Sequence, residues 1–389
     1  MAKAATVTYS RGRLIGSGIL TAIDVGLTWA IVYYFALLPL PSEYADFMRY
    51  MSSIGWNLGV AIFNPIAWVL FLGVAFDILI ILIALYGSYW VLGHFAAFAR
   101  YAGEWVRLKR AGSPMIQRWN VWQRAQHILM FVTFVICAFT GFVAMLDTNP
   151  IWRQVYINGL VSFSGPPPYF LWPSFTSPYP LIILIHIISG IIMGFLVLAH
   201  FGYYGARIIV DKIRGYSILE KWPLLRIYTW DFVTYIWHRT IWLVNPRHPL
   251  PPWTHKYDPE ELFEYWGVYW GIAVLGIPGI IMAVWGPSAG AGVAYVMHTK
   301  EAILAVTFLL LVHLTYTHFN PKIFPYREVF HSGKIPLDIV KEEHPAWYED
   351  LVRSGVVKVT RVEKYTRYEL PLLWSKPDVV EEHVEVKSK

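Results

Sequence analysis

Six runs of apolar residues constrain this chain more than any other feature, because each is long enough to cross about 30 Å of hydrocarbon as a helix of about 20 residues. They fall near 14–38, 66–98, 125–147, 181–204, 266–286 and 295–319. Composition agrees: of 389 residues 56% are apolar and 15% charged, which excludes a soluble globular protein and a disordered one. The first run follows Lys3, Arg11 and Arg13 but is long and lacks a small-residue cleavage site, so it reads as a span and not a removed signal. Asn64-Pro65 has the form of a cap followed by proline at the first helical position, and predicts that the second helix starts there and runs well past the membrane. The fold class expected is all-α, a polytopic membrane protein of six transmembrane helices.

Basic residues are distributed unevenly between the two sides. Of 32 Lys and Arg, only Arg49, Arg153 and Lys300 fall with loops 39–64, 148–180 and 287–294; the rest share the other side with both termini. The positive-inside rule then gives a multi-pass protein of the cell membrane, N-in and C-in, in contact with membrane lipid. The net charge of +6 follows from that topology and gives no reason to expect nucleic-acid binding. Residues 205–264 form an inner loop in which Trp230, Trp237 and Trp242 accompany Arg226, Arg239 and Arg247, the pattern of an amphipathic interfacial segment. The polar tail 321–389 holds equal numbers of acidic and basic side chains and one strand-like stretch, 356–362. The aromatic outer loop 148–180, with Pro166-Pro167-Pro168, reads as a docking surface or an interfacial cover.

One cysteine, Cys137, excludes a disulfide framework, a thiolate zinc site, an iron–sulfur cluster and c-type haem attachment. Any metal must be held mainly by histidine, carboxylate or methionine. Hydrolase and phosphate-binding motifs are absent from the sequence. Ionisable side chains inside spans are costly and are functional candidates by default. Among them are His94, His127, His186, His200, His298, His313 and His318, with Asp24 and Asp77 near mid-span. His186 and His200 lie 14 residues apart, about 40° in azimuth and about 21 Å in height on one helix. His298 and His313 lie 15 apart, about 60° and about 22 Å. Both helices run from the outer to the inner side, so His186 matches His298 in depth and His200 matches His313. Such pairs suit the axial ligation of two b-type haems, with Gly190 and Gly194 letting a ring approach the backbone. His318, about 140° round from His313, is expected to face elsewhere. For Asp24 and Asp77 the sequence leaves a proton relay or a simple interhelical hydrogen bond.

From these residues the chain resembles the cytochrome b membrane subunits of formate dehydrogenase (gamma subunit), thiosulfate reductase and nickel–iron hydrogenase. The similar stretches are Arg124-Ala125-Gln126-His127 leading to Thr140-Gly141, the helix from His186 to His200, Glu264-Tyr265-Trp266-Gly267, His298-Thr299-Lys300-Glu301-Ala302 through His313, and Asn320-Pro321-Lys322-Ile323-Phe324-Pro325. The resemblance covers roughly 118–345. It divides the chain into two additional N-terminal helices (1–117), a four-helix cytochrome b core with an inner interfacial loop (118–320) and a cytoplasmic tail (321–389). It implies two b haems, exchange of electrons with membrane quinone, and a soluble iron–sulfur or multihaem redox subunit that holds the substrate chemistry. The gamma-subunit pattern would pair His127 with His313 at the inner haem, whereas depth matching pairs His200 with His313. The sequence reading leans to His200, leaving His127 near a propionate or quinone. Arg124 and Arg207 are candidate propionate or quinone partners, with Trp119, Tyr203 and Tyr204 as quinone-pocket candidates. The alternatives are a haemless membrane anchor and a proton- or ion-translocating subunit.

Overall fold

The computed structural model describes residues 5–8, 11–101, 106–109, 114–148, 180–245, 247–249, 253–286, 289–320, 324, 326–366 and 378–386. The outer-loop surface expected over 148–180, with Arg153 and the proline run, therefore lies outside the described residues, as do parts of 287–288 and 321–325. The chain is mostly helical, and six of its helices are long and apolar enough to cross a membrane.

In chain order, β1 (Ala5–Thr8) precedes α1 (Arg11–Val32), which continues through a π-helical turn, Tyr33–Leu37, into α2 (Leu40–Ser53). A short α3 (Leu58–Ile62) leads to α4 (Pro65–Tyr101). The Asn64 side chain accepts the Ile66 N–H at 2.9 Å, so the proline-first cap forms, and the 37-residue helix spans about 55 Å, well beyond a bilayer core. Strands β2 (Val106–Lys109) and β3 (Met115–Gln117) come next, then α5 (Val121–Thr148) and α6 (Pro180–Ile213). The inner-loop region folds as α7 (Ile218–Lys221), a 3-10 turn and α8 (Trp230–Val244). The fifth apolar helix, α9 (Pro259–Trp285), starts earlier than the apolar run because Asp258 and Glu261 form a capping box around Pro259. The sixth, α10 (Val293–Phe308), continues as a π-helix over Leu309–Phe319. Beyond it are α11 (Val329–Ser332), β4 (Lys334–Pro336), α12 (Leu337–Glu343), α13 (Pro345–Arg353), β5 (Val357–Thr366) and β6 (Asp378–Val386). The strand-like stretch of the tail is β5, paired antiparallel with β6.

α1 is amphipathic in reverse. Ile15, Ile19, Ile23 and Leu27 are half exposed or more, while Ser17, Thr21, Asp24 and Thr28 are at most 6% exposed. Further along, Val32 and Ala36 join Ile80 and Ala84 of α4 and Ile303 of α10 in a fully buried apolar cluster. One turn beyond it, Lys300 bonds Asp77 at 2.5 Å and Glu43 of α2 at 2.9 Å. Asp77 thus takes a lysine partner and not the Asp24 hydrogen bond that the sequence allowed. The N-terminal helices are no loose appendage: a Cβ at Gly87 would lie 2.7 Å from Leu311, so α4 approaches the sixth helix closely only because that position is glycine.

β1 pairs antiparallel with β2, and β3 with β4. At the end of the bundle where α1 begins, Ile116, Val329, Ile335, Leu337, Val340, Trp347, Tyr348 and Val357 form a second core. It ties the tail to the start of α5. On α8, Trp230 and Trp237 are exposed, whereas Trp242 is buried with the Arg239 guanidinium 4.5 Å above its ring. The helix is amphipathic as expected, but Arg239 and Trp242 face inward.

Candidate functional site

α6 and α10 bring His186 and His298 together, with ring centroids 5.9 Å apart. Each ring has one nitrogen committed. The Thr140 hydroxyl donates to the Ile136 carbonyl at 2.6 Å, so towards His186 it can only accept, and the His186 Nδ1–H donates to it at 2.9 Å. His298 Nδ1–H donates to the Leu275 carbonyl at 2.8 Å. That carbonyl lies in the turn that precedes Pro278, which lacks an N–H to give to the helix. Both rings therefore carry a lone pair on Nε2. Glycines make room for them: a Cβ at Gly141 would be 3.2 Å from His186, and one at Gly279 would be 3.2 Å from His298.

At the other depth the partner of His313 is His127, at 6.3 Å between ring centroids. The Glu264 carboxylate accepts the His313 Nδ1–H at 2.9 Å. His127 Nδ1 is buried with no hydrogen-bond partner, and its ring packs against Trp119 at 5.3 Å and Phe330 at 5.5 Å. His200 is placed elsewhere, which corrects the depth-matched pairing. Its Nδ1 meets the Gln126 Oε1 at 3.0 Å, its Nε2 meets the Tyr265 hydroxyl at 2.6 Å, and the ring stacks on Tyr269 at 4.9 Å. With both nitrogens hydrogen-bonded, His200 has no lone pair to offer a metal.

The reason is the π-helix. Azimuths computed at 100° per residue do not hold across Leu309–Phe319, where about 4.4 residues make a turn. The His313 face is rotated towards α5. The same unwinding makes five residues little more than one turn, so His318 stands 6.1 Å from His313 and not on the far side of the helix.

A metal–imidazole bond is about 2.0 Å, and a ring nitrogen lies about 1.1 Å from its centroid, so two imidazoles sharing one axial metal have centroids about 6.2 Å apart. Both histidine pairs fit that spacing. Three of the four rings also have the other nitrogen bonded to a fixed acceptor, as ligating histidines require. Among the described residues no group of three or more His, Cys, Asp or Glu is arranged to hold a bare metal ion. A Cβ at Gly190 or Gly194 meets nothing within 4 Å, so α6 offers a flat backbone face there.

The polar candidates divide. Arg124 is half-buried and donates to the His331 carbonyl, while Arg207 is exposed and reaches only the Tyr203 hydroxyl, at 3.5 Å. Arg118, which the sequence reading did not single out, is 4% exposed and bonds Glu261 at 2.7 Å and the Lys256 carbonyl at 2.8 Å. Glu261 also takes Arg327 at 3.0 Å. His94 donates from Nδ1 to the Trp90 carbonyl and accepts from Arg239 at Nε2, both at 2.8 Å. Thr140 and Glu264 lie in stretches that the sequence resemblance already marked, but their role as acceptors, and that of the Leu275 carbonyl, became legible only once the histidines had neighbours. Comparisons of the chain with protein-family models, curated proteins and solved structures return no match.

Proposed function

We propose that the protein is a b-type cytochrome membrane subunit, in which α5, α6, α9 and the sixth helix form a four-helix core for two bis-histidine haems. The observation that carries the reading is the pair of centroid spacings, 5.9 Å for His186 with His298 and 6.3 Å for His127 with His313. The reading inserts the six apolar helices in the cell membrane, N-in and C-in. It relays electrons between an external redox subunit and membrane quinone, and places substrate chemistry on that subunit.

His186 with His298 and His127 with His313 would hold the two haems, which would supply reversible one-electron transfer. The protein's residues do the rest. Thr140, the Leu275 carbonyl and Glu264 hold a proton at Nδ1 of their histidines and thereby direct Nε2 inward. Glu264 differs in being a carboxylate. It makes the His313 imidazole a stronger donor than one bonded to a hydroxyl or carbonyl, which lowers the reduction potential at that end. Gly141 and Gly279 let the imidazoles lie flush against neighbouring helices. Trp119 and Phe330 shield the His127 end from water.

The test is a dithionite-reduced minus oxidised spectrum of purified protein made with haem available, with haem counted as the pyridine haemochrome. Sharp b-type bands with two haems per chain are expected. Folded protein without haem would overturn the reading and leave the anchor or the ion-translocating subunit.

A further inference from the structure

We propose that α1 carries a proton-loading site at Asp24, reached from the end of the bundle where α1 begins and sealed from the opposite end. The proposal does not depend on haem. Ser17, Thr21, Asp24 and Thr28 recur at spacings of four, three and four residues, which puts them on one helical face, and all are buried. The Ser17 hydroxyl donates to the Phe319 carbonyl and the Thr28 hydroxyl to the Asp24 carbonyl, so the cost of this inward polar face falls on the Asp24 carboxyl.

A small cavity lies at this face, lined by Thr21, Trp90, His94, Thr315, Tyr316 and Asn320 among others. Thr21 is one turn from Asp24 on the same side of α1. The Asp24 Oδ2 is buried without a hydrogen-bond partner. The Thr28 hydroxyl gives it no help, since it bonds the Asp24 backbone carbonyl at 2.8 Å. Among the described residues no charged side chain of α4 or the sixth helix acts on the carboxyl; of the titratable groups lining the cavity, His94 has both nitrogens bonded and Tyr316 is an uncharged phenol. A carboxyl in such surroundings takes up a proton, because the anion has no countercharge and the small cavity beside it hydrates it far less than bulk water would. The step is balanced without a co-reactant: a hydronium from the aqueous phase, carried along the cavity, gives its proton to the carboxylate and is left as water.

The path stops above Asp24. Val32 lies about 12 Å further along the helix and belongs to the apolar cluster with Ala36, Ile80, Ala84 and Ile303, all of them 1% exposed or less. Only beyond that cluster does polarity resume, at Asp77, Lys300 and Glu43. Two polar half-paths thus face each other across a dry plug.

The experiment uses the full chain in lipid vesicles. The native minus Asp24→Asn infrared difference at neutral pH should contain a protonated-carboxyl C=O band that shifts on exchange into D2O and is present equally in Asp77→Asn and in Glu301→Gln, which removes a buried carboxyl of the sixth helix. A missing band, one unchanged in Asp24→Asn, or one abolished by added sodium ions would overturn the proposal. Vesicles loaded with pyranine should be proton-tight with the native chain. The double variant Ile80→Ser, Ala84→Ser, shown to be folded by its gel-filtration profile, should leak, and adding Asp24→Asn should stop the leak. A tight double variant, or a leak indifferent to Asp24, would overturn the assignment of the plug.

Discussion

The molecule has two halves that hold together by different means. α1, α4 and the sixth helix bury 28% of their most apolar windows and share the aliphatic cluster around Ile80 and the Glu43–Lys300–Asp77 ion pairs. α5 and α6 bury only 11% of theirs. What they turn inward is mostly small or polar: Thr133, Thr140 and Ser189 are buried, as is Met193, although Phe142 and Met145 of α5 do pack against the aliphatic cluster. Small and polar residues bring helices close but exclude little water and gain little dispersion energy compared with interlocked isoleucines. The first half therefore has the composition of a self-sufficient core. Between the two halves, His186 on α6 and His298 and His313 on the sixth helix each have Nδ1 hydrogen-bonded and Nε2 open, while His127 on α5 has no partner at Nδ1.

The comparison breaks most visibly at the histidines. His186→Ala or His298→Ala should each remove one haem per chain, and His127→Ala or His313→Ala should remove the other, counted as pyridine haemochrome. His200→Ala should retain both haems, because that ring is tied up by Gln126 and Tyr265. Loss of haem in His200→Ala with full content in His127→Ala would reverse the assignment of the second pair.

Next in size is the first half's own weak point. Lys300→Met leaves Asp77, fully buried, without its cation, and should destabilise the protein by about 3 kcal/mol in a detergent melt, the usual scale for breaking a buried pair. Lys300→Met combined with Asp77→Leu should recover much of that loss, since the desolvation cost disappears with the charges. If Lys300→Met alone were neutral, the ion pairs would contribute nothing to the tighter half.

Much of this architecture was legible in the sequence, for identifiable reasons. Apolar run length located all six helices, and Asn64-Pro65 located the start of α4. The His186 and His298 match was legible because both residues lie in regular α-helix, where 100° per residue holds. The His313 partner was not, because a π-helix leaves no signature in hydropathy and rotates every residue after Phe308. Nor could a single sequence show that Lys300, apparently at the edge of its run, reaches back to Asp77. Arg118 was invisible for a related reason: its value comes from Glu261, 143 positions away.

A subtler test separates the halves by their cofactor dependence. Hydrogen exchange on haem-depleted protein should show protection lost in α5 and α6 and retained in α1 and α4 around Ile80, since only the former would be held through the bound group. Uniform loss would mean that the aliphatic cluster does not stand by itself.

The smallest effect lies in the cap that joins the tail to the α5 and α9 side. Burial, assisted by the nearby Arg118 guanidinium, lowers the Lys256 ammonium from its ordinary 10.5 to about 8. The unfolded chain therefore binds more protons than the folded one between those values. Stability should rise with pH through the window from about 8 to 10.5, and the cost of the charged form is fully present below it. The Lys256 ammonium sits 5.2 Å from the Trp347 ring and 5.3 Å from that of Tyr257, contacts that offset part of this cost without removing it. Lys256→Met keeps the backbone carbonyl that Arg118 uses, so it should raise the melting temperature slightly at pH 7 and flatten its dependence on pH above 8. Exchange measured across the same range should show the gain in α13 and the start of α9, next to the lysine, and none at the plug. A gain shared by both halves would mean that the cap couples them, and that the looser half borrows stability from the tail.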